Sequence, residues 1–131
     1  MRPSNVKKII ITQPHHKEDS KAPWDDLVEE DFHVAVYRDR YPVTEGHLLY
    51  MPKYNSVAIL IEAMENAVLY GTTKVEEGEW DGFNVGLNVG TAAGQTVDWP
   101  HVHLIPRRNG DMEDPRGGVR HVIPEKGNYH K

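Results

Sequence analysis

An α+β fold, a mainly antiparallel five-stranded sheet with one long helix and a loop-rich C-terminal tail, is predicted by three features of this 131-residue chain. Several short stretches alternate apolar and polar residues, the period-2 pattern of half-buried strands. One stretch alone, from Asn55 to about Glu76, repeats its apolar residues at helical spacing. Beyond Arg107 the chain is dense in Gly, Pro and charge and has no periodicity, which predicts the tail at residues 107–131.

The elements follow in order. The β-branched run from Val6 to Thr12 predicts a first strand, and the polar stretch Lys17 to Lys21 an exposed loop in which His15 and His16 are solvated. Residues 24–30 read as a helical turn or loop. Residues 32–37 alternate as a second strand, residues 41–46 turn the chain back, and residues 47–51 form the third, so that the two make a hairpin. The helix carries Val57, Leu60, Ile61, Met64, Val68 and Gly71 on its core face, and Asn55 or Ser56 caps its start. Strands at residues 83–89 and 101–105 complete the sheet, and His121-Val122-Ile123 is a candidate short edge strand.

At this length one core is available and not two, so residues 1–131 are expected to form one domain, with its N-terminal strand and loop at 1–29. A formal charge of −5 argues against a nonspecific nucleic-acid binder. The chain has no cysteine, which removes disulfides and thiolate metal ligands. Its longest apolar run is far short of a membrane span, and residues 1–20 lack a signal-peptide core, so a soluble, cytoplasmic protein without a membrane partner is expected.

The most informative local pattern is Trp99-Pro100-His101-Val102-His103-Leu104-Ile105-Pro106-Arg107-Arg108. On a strand it places Trp99, His101, His103 and Ile105 on one face and Pro100, Val102 and Leu104 on the other. One side is chemical and the other is core. A neutral imidazole has a free lone pair near neutral pH, so these histidines suit nucleophilic attack, proton transfer or metal ligation, or are merely exposed. Zinc wants three or four ligands, and no third histidine or cysteine lies nearby in sequence. Just before the pair, a strand ending in Asn88-Val89-Gly90 breaks into Thr91-Ala92-Ala93-Gly94-Gln95-Thr96. Small residues let loop amides approach an anion, and Gln95 and Thr96 offer side-chain donors. Arg107, Arg108, Arg116 and Arg120 add a local positive field suited to phosphate.

These residues resemble the histidine triad (HIT) nucleotide hydrolases and transferases. The matching parts are Asn88-Val89-Gly90, Gly94-Gln95-Thr96-Val97, His101-Val102-His103 and Ile105-Pro106-Arg107, with a second block at Asp39-Arg40-Tyr41-Pro42, Gly46-His47-Leu48 and Pro52-Lys53. The resemblance spans about residues 30–125 and implies the HIT-like fold and a homodimer. Trp99 stands at the first triad position, where the family has a histidine. The resemblance assigns His101 as the nucleophile on an α-phosphorus, His103 as a phosphate contact, and His47 as a further catalytic group. It assigns Asp39 to the ribose hydroxyls, and Asn88, Gly94, Gln95 and Thr96 to phosphate or ribose. Trp99 and Arg107 fall on the substrate rim, where Trp99 either touches a leaving group or packs. Tyr37, Phe32 and Trp24 are candidates for a purine wall.

The implied activity is cleavage of a nucleoside phosphoanhydride or phosphoramidate, such as a dinucleoside polyphosphate, through a nucleotidyl-histidine intermediate. No cofactor is implied, beyond a divalent cation accompanying a polyphosphate substrate. Two other readings stay open at this level: a nucleotide-binding module that lost turnover with its first triad histidine, and a metal-dependent hydrolase using His101, His103 and His47.

Overall fold

The computed structural model describes residues 23–129. The expected strand from Val6 to Thr12 and the His15-His16 loop lie outside them. Five antiparallel strands form one sheet in the order β1-β2-β3-β5-β4, comprising β1 (Leu27–Glu30), β2 (Val34–Arg38), β3 (Leu48–Pro52), β4 (Gly82–Gly86) and β5 (Val102–Arg107). The 20-residue helix α1 (Val57–Glu76) connects β3 to β4 and packs on β3, β4 and β5.

The sheet has two different faces. Val34, Val36, Leu48, Tyr50, Val102 and Leu104 meet Ile59, Ala63 and Ala67 of α1 in the main core. Ala35, Tyr37 and Met51, on the opposite face, are covered by Trp24 and Trp99. β2 and β3 therefore carry apolar residues almost continuously, because both of their faces are covered. β5 alternates strictly between buried and half-buried residues, with Val102, Leu104 and Pro106 inward. That alternation places His103, Ile105 and Arg107 on the face away from the helix.

Ser56 caps α1: its backbone is extended, and its hydroxyl accepts from the Ile59 N–H at 3.3 Å. Gly71 on the stripe is buried because the Phe83 ring lies against it, where a Cβ would sit 2.8 Å from the ring.

Four expectations are corrected. Ile61 and Val68, expected on the core face of α1, are exposed, and Ile59, Ala63 and Ala67 are buried in their place. Residues 27–30 form an edge strand and not a helical turn, since all four are exposed and pairing with β2, Glu30 opposite Ala35 and Leu27 opposite Tyr37, decides their conformation. β4 ends at Gly86 and not at Val89; the last rung pairs Gly86 with His103, after which the chain leaves the ladder for the loop. His121-Val122-Ile123 is not a strand. Gly118–Val122 is a 3-10 turn whose amides bond locally, Gly118 to the Pro115 carbonyl and Arg120 to that of Gly117, and Pro124 then opens the four-residue helix α2 (Pro124–Gly127).

Leu104 is fully buried between β3, β4 and α1. Leu104→Ala is expected to lower unfolding free energy by about 2–5 kcal/mol in urea titration; a loss under about 1 kcal/mol would contradict this core.

Candidate functional site

The site is built on the uncovered half of the β5 face. The turn before β3 brings His47 to it: Gly46 has φ of +93°, which disfavours any other residue, and a Cβ there would press on the Pro106 ring at 3.2 Å. Thr44 ties the same turn to β5 by donating its hydroxyl to the Pro106 carbonyl at 2.6 Å.

A chain of hydrogen bonds then fixes the protons. The Val43 N–H donates to His47 Nδ1 at 3.0 Å, so a neutral His47 carries its proton on Nε2. His47 Nε2 lies 2.9 Å from His103 Nδ1 and 3.4 Å from Asp39 Oδ2. His103 Nδ1 is thereby an acceptor, and the His103 proton resides on Nε2, which has no partner among the described residues. Both rings stay neutral near pH 7. Burial lowers the pKa of His47 despite the raising pull of Asp39. Burial, followed by repulsion from His101 and His47, pushes that of His103 down to about 4.

His101 is oriented differently. Its Nδ1 donates to the Trp99 carbonyl at 2.9 Å, so in the neutral ring the lone pair is on Nε2. Its ring lies 5.1 Å from that of His103 and 4.7 Å, edge to face, from that of Trp24. An imidazole aimed by a main-chain carbonyl, beside a second imidazole that offers an N–H, can attack an electrophile while its neighbour binds an anionic oxygen.

The loop from Asn88 to Thr96 is more self-contained than its small residues predict. The amides of Ala93 and Gln95 bond to the Gly90 carbonyl, and that of Gly94 to the Thr91 carbonyl, so a 3-10 turn consumes the donors expected to face an anion. Gln95 braces the same loop: its Oε1 accepts from the Gly90 N–H at 2.8 Å and its Nε2 donates to the carbonyls of Val97 and Asp98. Thr96 and Asn88 are exposed, and Thr96 has no hydrogen-bond partner among the described residues.

Asn88, Gln95 and Trp99 line one cavity of about 780 Å³, which continues to Ser56 and Leu60 at the start of α1. His101 and His103 do not line it. The two groups meet at Trp99, whose carbonyl holds His101 while its ring borders the cavity. The Trp99 indole N–H donates to the Pro52 carbonyl at 2.8 Å and its ring packs against Ala35, Tyr37 and Met51. Of the aromatic candidates, Tyr37 is buried in that layer, Phe32 is 62% exposed, and Trp24 sits against His101.

The four arginines expected to furnish a positive field are each engaged by partners within the fold. Arg107 forms a two-pronged pair with Asp111 and donates to Asn84 Oδ1, four residues along β5 from His103, roughly 13 Å at about 3.3 Å per residue. Arg108 donates to the Glu45 carbonyl, Arg116 pairs with Asp114, and Arg120 donates to the carbonyls of Lys126 and Gly127. Carboxylates four and two residues away neutralise Arg107 and Arg116, a pairing visible in the sequence as Arg107 with Asp111 and Asp114 with Arg116, whereas Arg108 and Arg120 bond to main-chain carbonyls. The roles of the Val43 N–H and of Trp24 beside His101 have no sequence signal, because both depend on contacts made by the fold.

The metal reading meets this geometry poorly. Asp39, His47 and His103 form a cluster whose ligand atoms lie within 4.8 Å of one another, and His101 is not part of it. His47 Nε2, the shared atom, is a proton donor when Nδ1 accepts from Val43, so it has no lone pair for an ion.

Residues 21–110 match the HIT domain family model. The chain belongs to the HIT family. A HIT-like protein of Methanocaldococcus jannaschii is 36% identical over 103 residues, covering 73% of this chain and 80% of that one. The adenosine 5'-monophosphoramidase of Saccharomyces cerevisiae is 34% identical over 93 residues, 69% of this chain and 58% of the yeast protein. Among solved structures, a hypothetical histidine triad nucleotide-binding protein from Sulfolobus tokodaii superposes with a TM-score of 0.56 at 33% identity, over 66% of this chain and 62% of that chain. The sheet of five antiparallel strands with one main helix is thus the HIT fold that the two motif blocks imply. No helix among the described residues is long and apolar enough to cross a membrane.

The lowered pKa of His103 gives a sign for pH dependence. The folded state binds this proton less readily than the unfolded chain, so the stability associated with it is present above about pH 6.5 and is lost as pH falls through about 4. Urea unfolding between pH 7 and 4 is expected to show a decline that is shallower in His103→Asn; an equal slope in both proteins would contradict a buried neutral imidazole.

Proposed function

We propose that this HIT protein is a hydrolase or nucleotidyltransferase that cleaves a nucleoside phosphoanhydride or phosphoramidate at the α-phosphorus through a nucleotidyl-His101 intermediate. The observation that carries the reading is the Nδ1–H bond of His101 to the Trp99 carbonyl, which leaves Nε2 as the nucleophilic atom beside the free Nε2–H of His103. In the first step the His101 Nε2 lone pair forms a bond to phosphorus, and the bond from phosphorus to the leaving group breaks with its electron pair. Water or a second phosphate then attacks the same phosphorus and returns the electron pair to Nε2. Splitting the displacement in two lowers the barrier of each half.

His103 donates from Nε2 to a phosphoryl oxygen as charge builds on it. His47 holds His103 in the tautomer that can donate. Asp39 is partly exposed, and its carboxylate accepts from ribose hydroxyls while Oδ1 holds the Tyr41 N–H. Asn88 and Thr96, both exposed, supply contacts on the phosphate and ribose side, and Gln95 braces the Gly94 turn between them. Trp99 needs only its main-chain carbonyl to orient His101, so a tryptophan at the first triad position is compatible with turnover. No step calls for a metal ion. The yeast relative's phosphoramidase activity supports a phosphorus–nitrogen substrate as one member of the class.

The protein is further read as a homodimer in the cytoplasm. Support for the dimer comes from β4, whose outer edge is unpaired among the described residues, and from Ile61, Val68 and Leu69, which are exposed on α1. Light scattering is expected to give twice the chain mass, and a monomer at micromolar concentration would reject the dimer.

Incubation with adenylyl and guanylyl polyphosphates, phosphoramidates and sulfates labelled at the α-phosphate is expected to leave acid-labile label on His101. His101→Ala is expected to lose at least about a thousandfold in turnover while retaining nucleotide binding. Unchanged turnover in that variant, or wild-type turnover abolished by chelators, would overturn the mechanism.

A further inference from the structure

When His101 Nε2 is bonded to phosphorus, the ring still carries its Nδ1 proton and is therefore cationic. In many sites a carboxylate balances such a charge. Among the described residues no hydrogen bond or ion pair joins His101 to a carboxylate, and Asp39 is engaged by His47 and Tyr41 instead. What surrounds the ring is the Trp99 carbonyl on Nδ1, the His103 ring at 5.1 Å, and the Trp24 indole at 4.7 Å between centroids, tilted by 61°.

Trp24 is held there by the fold. It lies three residues before Leu27, which pairs with Tyr37 across the β1–β2 ladder, and its ring also lies 6.1 Å from that of Tyr37. It belongs to the aromatic layer that includes Trp99. A cation over the face of an indole, within about 6 Å of its centroid, is attracted by the π electrons.

We propose that Trp24 is a positioning residue for His101, fixing the ring with the Trp99 carbonyl and stabilising through its aromatic system the positive charge of the nucleotidylated imidazole. The inference rests on the covalent mechanism above and assigns Trp24 to the nucleophile rather than to a purine wall. The first displacement needs no added reactant: the nitrogen–phosphorus bond forms, the leaving group departs with its bonding pair, and the Nδ1 proton stays on the ring.

Rapid-quench measurement of labelled enzyme formed from adenosine 5'-monophosphoramidate tests this in Trp24→Ala, Trp24→Leu and Trp24→Phe. Both Ala and Leu are expected to slow nucleotidylation about tenfold with KM within about twofold, whereas Phe restores the rate to within about threefold. Leu fills space without π electrons, so a Leu variant as fast as Phe would overturn the proposal in favour of packing alone. A rise in KM with an unchanged rate would overturn it in favour of a base contact. Equal melting temperatures and equal AMP affinity across the variants show that rate differences do not arise from misfolding. Wild-type protein that forms no label with any of the substrates above would reject the covalent mechanism itself, an outcome distinct from labelled wild type with insensitive variants.

Discussion

Strand β5 has to satisfy two demands with one period. Its even-numbered residues, Val102, Leu104 and Pro106, are buried, with Val102 and Leu104 in the core beneath α1; its odd-numbered residues and the adjoining His101 face the other side. A slip of one residue would bury the imidazoles and expose the core. Pairing on both flanks prevents it, with Leu49 opposite His103 on β3 and Gly86 opposite His103 on β4. The same burial that holds the sheet together therefore positions His103, while the turn before β3 and the Trp99 carbonyl aim His47 and His101.

Polarity at the site is set by main-chain groups more than by charged side chains. Val43 determines the tautomer of His47, His47 that of His103, and the Trp99 carbonyl that of His101. Main-chain donors and acceptors do not titrate near neutral pH, so the tautomers of His47 and His101 are chosen by partners of fixed polarity. Arg107 at the end of β5 and the three arginines beyond it serve a different purpose. Arg107, Asp111 and Asn84 lock the end of β5 to β4, and the Arg120 contacts fold the tail on itself.

Much of the fold was legible because burial follows period. The helix was readable from Leu60, Met64 and Gly71, the hairpin of β2 and β3 from two apolar runs around a Pro-containing turn, and the two faces of β5 from the alternation of His and aliphatic residues. Strand β1 was not legible: its residues are all exposed, so its conformation comes from a neighbour's backbone and leaves no mark in Leu27 to Glu30. The gathering of His47, His103 and His101 followed from the motif blocks. The fate of Arg107 and of the loop amides did not, since a donor's availability depends on partners that only the folded chain supplies. Small residues in Thr91 to Gly94 permitted either an open anion cradle or a closed turn, and local hydrogen bonding selected the turn.

Trp99 divides its labour between main chain and side chain. The carbonyl orients an imidazole, while the indole bonds to Pro52 and covers Met51. Every amino acid brings the same carbonyl, so the bond that orients His101 does not depend on which side chain stands at residue 99. The indole has its own obligations, and replacing it would loosen the layer over Met51 before it disturbed the bond to the imidazole.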